Sequence, residues 1–93
     1  MRRCVLAGPY ASSEAVYVDL ARQLGLAGHF GANLDALWDA LTRDVVGPIE
    51  ILWPGFADAR RALGAEADRI RATLEEAAAE RRDVAVVIGG PND

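Results

Sequence analysis

Two carboxylates four residues apart, Asp35 and Asp39, are the groups in this chain whose type and spacing could do chemistry. On a helix that spacing puts both on one face, one turn apart, with Thr42 beside them and Trp38 on the border of the same strip. Such a pair could accept hydrogen bonds from cationic side chains, hold a divalent ion, or share acid and base roles. An i, i+4 pair of like charges costs a helix about 0.2–0.5 kcal/mol; Asp35 has no base four positions away, and Asp39 has only Arg43. The spacing leaves two readings open: a solvated helix face, and an anionic binding edge. For Asp35 the first is helped by the favourable position of a carboxylate in a first helical turn.

The element that must position these groups begins at Asn33, a good N-cap residue. Leu34, Leu37, Trp38, Leu41 and Val45 then recur at three- and four-residue steps, which predicts a helix with one apolar stripe. Ahead of it, Gly28 and Gly31 flank His29 and Phe30 in a loop that would allow close approach by a partner.

A catalytic reading finds little support. The chain has no glycine-rich phosphate loop, no Cys-x-x-Cys or His-x-x-x-His pair and no nucleophile elbow. Its only histidine, His29, has no base or nucleophile close by in sequence. Asp35 and Asp39 could bind a divalent ion together with Glu50, which keeps a metal-dependent hydrolase as the rival class. No catalytic residue, metal or cofactor is expected.

The charge balance points to a protein partner. Fourteen acids face ten bases, all arginine, for a net charge of −4, whereas phosphate binding needs a basic footprint. Direct nucleic-acid binding is therefore not expected, and a basic protein is. From His29 to Glu50 the acids Asp35, Asp39, Asp44 and Glu50 are accompanied only by Arg43. In the second half Arg60, Arg61, Arg69, Arg71, Arg81 and Arg82 alternate with acids, the pattern of a solvated helix surface.

The 93 residues suit a single domain over residues 1–89, with 90–93 as a disordered end. The lone cysteine, Cys4, cannot bridge internally and suits a reducing compartment. With no long apolar segment and no cleavable leader, a cytoplasmic, membrane-free protein is expected, monomeric when free.

Apolar patterning predicts strands at about Arg3–Leu6, Ile49–Trp53 and Asp83–Ile88, the last two buried on both faces. Helices are predicted from Ser12 or Ser13 to Leu24, from Asn33 onward, over Phe56–Leu63 and over Ala65–Arg81. Three strands separated by helical crossovers imply an α/β fold, a three-stranded parallel sheet in order 1-2-3 packed with about four helices.

The stretch FGANLDALWDALT resembles the signature of the barstar family, intracellular inhibitors of secreted microbial ribonucleases. Phe30, Gly31, Asn33, Leu34, Asp35, Ala36, Leu37, Trp38, Asp39, Leu41 and Thr42 carry the match. The resemblance implies that the loop before the helix and the acidic helix face plug a ribonuclease active site in place of RNA phosphates. It assigns partner contacts to Asp35 and Asp39, with Asp39 aimed at the enzyme's arginines and histidine. Asn33, Trp38, Thr42 and, on the last helix, Glu76 are further contacts. His29, Gly31, Arg43 and Asp44 complete the expected contact set. The chain departs from the family at His29, where a tyrosine is usual, and at Asp44, where a tryptophan is usual. The resemblance also implies a cis peptide at Gly47–Pro48. An immunity protein against a different nuclease toxin would use the same edge.

Overall fold

The computed structural model describes residues 2–26 and 33–89. His29 and Gly31 of the expected contact set, and the end at 90–93, lie outside the described residues. Three short strands run parallel: β1 (Arg2–Val5), β2 (Ile49–Trp53) and β3 (Val84–Ile88), in the order β1-β2-β3. Between them run α1 (Ser13–Leu24), α2 (Leu34–Asp39) with a π-helical turn over Ala40–Asp44, α3 (Phe56–Leu63) and α4 (Ala65–Glu80). This is the α/β architecture and strand order expected from the pattern. Strand alternation explains why one face of the sheet carries the core: Cys4, Ile49, Ile51, Trp53 and Val84 are buried there with Leu20, Leu37, Ile70 and Leu74 of the helices.

The opposite face looks outward. Register sets Arg3, Glu50 and Ala85 in one row, and Val5, Leu52 and Val87 in the next. Arg3 Nε pairs with Glu50 at 3.0 Å, so the glutamate is engaged across the sheet rather than grouped with Asp35 and Asp39. The expectation that β2 and β3 are buried on both faces is corrected here. Glu50 and Leu52 of β2 are only half-buried, Val84 alone in β3 is fully buried and Val87 is 47% exposed, because the outer face of the sheet is left largely to solvent. The β1 edge is closed by a side chain: the Gln23 amide accepts from Val5 N at 2.9 Å and donates to Val5 O at 2.8 Å.

Ser12 caps α1, accepting from Ala15 N, and Gly25 ends it in the left-handed conformation at φ 69°. β1 and α4 each end one residue earlier than predicted, the latter because Arg81 is already extended. The Gly47–Pro48 peptide is cis, as the resemblance implied, and so is Gly8–Pro9. Gly47 has no room for a side chain, since a Cβ there would overlap the Asp83 carboxylate and stand 2.9 Å from the Asp83 carbonyl oxygen.

Candidate functional site: an acidic helix edge

Local sequence chemistry starts the site. Asn33 Oδ1 accepts from Ala36 N at 2.8 Å, and its carbonyl accepts from Leu37 N at 3.0 Å, so α2 begins where the cap was predicted. Leu37, Leu41 and Val45 are buried, while Leu34 and Trp38 lie half-buried against the core. Turned away from that stripe, Asp35 and Asp39 are exposed. Trp38 is thus a packing residue at the rim of the edge, with part of its surface left for contact.

The helix does not continue in α form to Val45, as uniform 100° spacing had predicted. At Ala40 it widens into the π turn, closed by Val45 N donating to Ala40 O at 2.9 Å. Two polar contacts accompany the change. Thr42 Oγ1 donates to Trp38 O at 2.7 Å, which engages its proton and leaves the hydroxyl oxygen as an acceptor. Arg81 Nη1 donates to Leu41 O at 2.9 Å and to Val45 O at 2.6 Å, holding the carbonyl end of the turn with a cation. The same guanidinium grips Asp83 at 2.9 and 2.7 Å, and burial leaves its side chain 18% exposed. Those hydrogen bonds from Arg81 hold the Asp83 carboxyl below its ordinary range. Arg81 therefore does not belong to the solvated surface assigned to it from the sequence: it ties the acidic edge to the start of β3. No local pattern could have revealed it, because its partners are 36 and 40 residues away.

Charge pairing separates the edge from the rest of the surface. Glu50, Asp19, Asp68, Asp58, Glu66, Glu75 and Asp83 each meet an arginine. Among the described residues Asp35, Asp39 and Asp44 have no ion-pair partner, and neither do Glu76 and Glu80 on α4, the helix that packs against α2; Glu14, in the first turn of α1, is the one other unpaired acid among them. Glu80 was missed in the sequence, although it follows Glu76 at i+4 and shares its flank of α4. Arg43, in the π turn, is exposed and likewise has no ion pair among the described residues. Such carboxylates are acceptors held at spacings that backbone geometry fixes, suited to guanidinium, ammonium or imidazolium donors. Among the described residues no group of three or more His, Cys, Asp or Glu is placed to hold a metal ion. Nor, among them, is any helix long and apolar enough to cross a membrane.

Comparison with known proteins agrees with the geometry. Residues 3–89 match the family model described as "Barstar (barnase inhibitor)". Over 84 residues the chain is 33% identical to a Bacillus subtilis (strain 168) protein named "Putative ribonuclease inhibitor YrdF", covering 89% of this chain and 92% of that protein. With its sheet order, its helices and nearly its whole length accounted for, the chain belongs to the barstar family, whose members are inhibitors and not enzymes.

Proposed function

We propose that the chain inhibits a basic, secreted microbial ribonuclease by seating its acidic edge in the enzyme's active site. The observation that carries this reading is the segregation of unpaired acids. Seven carboxylates elsewhere on the surface meet arginines, whereas Asp35, Asp39, Asp44, Glu76 and Glu80, on α2, the π turn and the adjoining α4, do not among the described residues; away from these elements only Glu14 of α1 shares that state among the described residues. A ribonuclease must stabilise phosphate charge, so its cleft presents cationic donors, and rigid carboxylates satisfy them as RNA phosphates would.

On this reading Asp39 and Asp35 accept from the enzyme's cleft, Glu76 reaches it from α4, and Thr42 adds an acceptor one turn along. Asn33 holds α2 and keeps its amide N–H groups for the partner. Trp38 shields the ion pairs from water at the rim, while His29, Gly31, Arg43 and Asp44 set which enzyme fits. Inhibition is occlusion, without a covalent step or cofactor, and an interface of about 1,600 Å² is enough. RNA itself is not the ligand, in keeping with the net charge of −4. The inhibitor works as a monomer in the cytoplasm of the cell that makes the enzyme; there burial pushes the Cys4 thiol up to about 12, which keeps it inert. A related nuclease toxin offers a similar basic cleft, and against it the chain would serve as an immunity protein.

The test is inhibition of a panel of microbial ribonucleases and nuclease toxins at low and raised salt. Association that is fast at low salt and slows as salt screens the edge is expected. Silence across a panel that includes nucleases from the same source would refute the reading.

A further inference from the structure

At the start of the acidic edge lies a groove that reaches beyond the signature residues onto two other helices. It measures about 390 Å³ and is lined by Ser13 and Tyr17 of α1, by Asn33, Leu34 and Asp35 at the start of α2, and by Glu66 in the first turn of α4. Three elements far apart in sequence thus place two carboxylates around one recess. Glu66 Oε1 accepts from Arg69, which does not line the groove, and its Oε2 has no partner among the described residues. Asp35 is exposed and without an ion pair among the described residues.

Tyr17 is the telling member. Its side chain is buried, with only 4% of the residue exposed, yet its hydroxyl makes no hydrogen bond among the described residues. No buried side-chain polar atom among them lacks a partner, so the hydroxyl keeps its access to solvent, and the groove is where Tyr17 meets it. Burial, and to a lesser degree the Glu66 charge, push that hydroxyl's pKa up. A buried phenol without a hydrogen-bond partner among the described residues, lining the same groove as two carboxylates, suits a ligand that brings several donors.

We propose that this groove is a socket for an arginine side chain of the partner protein. The partner's identity rests on the inhibitor reading above. Leu34 offers an apolar wall for the arginine stem, as snorkelling side chains prefer. Asp35, Glu66 and the Tyr17 hydroxyl accept from different directions, which a planar fork with five donors satisfies and a compact ammonium does not. The socket extends recognition from α2 onto α1 and the first turn of α4. Tyr17 and Glu66 thereby become specificity-determining residues.

The test uses N-acetyl-arginine amide as the probe, titrated at millimolar concentration into the isotope-labelled chain while backbone amide shifts are followed. Saturable shifts are expected at residues 13, 17, 34 and 66. Glu66→Gln and Tyr17→Phe should each weaken binding about five-fold, the effect of one net hydrogen bond, while the remote Asp58→Asn leaves it unchanged. Shifts spread evenly over the acidic surface, or wild-type binding by Glu66→Gln, would overturn the socket. A second arm measures inhibition of a ribonuclease that the chain blocks. Loss in Asp39→Ala with no change in Glu66→Gln and Tyr17→Phe overturns the socket and leaves the inhibitor reading in place. Saturable, Glu66-dependent arginine binding with no nuclease inhibited supports the socket and removes the inhibitor reading instead.

Discussion

Replacing Arg81 by methionine keeps much of the stem and removes the guanidinium, and so probes what ties the π turn to the start of β3. Two charge-assisted hydrogen bonds to the turn are lost, at 2.9 Å to Leu41 O and 2.6 Å to Val45 O, together with the two bonds to the exposed Asp83 carboxylate, which water screens and which add little to the cost. Bonds to charged groups contribute about 1.5–3 kcal/mol each. The side chain retains 18% exposure and water can reach the freed carbonyls, so the lower end applies, giving about 3 kcal/mol for the two. For a domain of this size that corresponds to a melting temperature lower by about 12–24 °C. The assay is thermal unfolding followed by circular dichroism, with urea unfolding as a check on the free energy. Arg81→Lys, a point charge without the fork, should restore only part of the loss. A melting temperature for Arg81→Met within about 3 °C of wild type, less than 1 kcal/mol on the same scale, would refute the claim that this guanidinium secures the recognition segment.

Other consequences can be checked with the same unfolding assays. Gly47→Ala forces a Cβ into Asp83 and should cost about 1–3 kcal/mol; an unchanged midpoint would mean that the β2–β3 junction gives way easily. Asn33→Ala removes the cap to Ala36 N and should cost about 1 kcal/mol, measurable as a shift in the urea midpoint without a change in slope. Burial is the largest single influence on Asp19 and raises its pKa, but hydrogen bonds from Tyr10, Gln23 and Arg22 together outweigh it and hold the carboxyl below its ordinary 3.8. A carboxyl depressed on folding contributes stability that is present above the unfolded value and lost as pH falls through the lower folded one. Tyr10→Phe removes the 2.6 Å bond, so its stability deficit against wild type should be full at pH 7 and shrink below about pH 4. A deficit that does not change with pH would contradict this.

The parts of this molecule legible in the sequence are those fixed by local rules. Asn33 could be named as the cap because its hydrogen bond reaches only three residues, to Ala36. The stripe from Leu34 to Val45 and the run Ile49–Trp53 announced their elements through periodicity and length, and right-handed crossovers then left one simple strand order. What stayed hidden depends on the assembled fold. The exposure of Val87 follows from the helices leaving the outer face of the sheet to solvent, which VAVVI as a string does not reveal. The π turn coincides with a hydroxyl bonded back to Trp38 and a guanidinium arriving from the far end of α4, neither of which enters a 100° projection. Arg81 read as one more surface arginine, and Tyr17 and Glu66 carried no signal of their own, because their neighbours across the groove come from other helices.

The central claim is that the unpaired acids on α2, Asp39 above all, act in binding rather than in folding. The most direct measurement is the dissociation constant of the complex with an inhibited ribonuclease for wild type, Asp39→Ala and Asp58→Ala, with unfolding of each free protein measured alongside. Asp39→Ala should lose about 2–5 kcal/mol of affinity, roughly 30-fold to several thousand-fold, and be as stable as wild type or slightly more so. Asp58, already paired with Arg61, should change affinity little. Equal losses of affinity in the two variants, or a loss in Asp39→Ala matched by a loss of stability, would contradict the account.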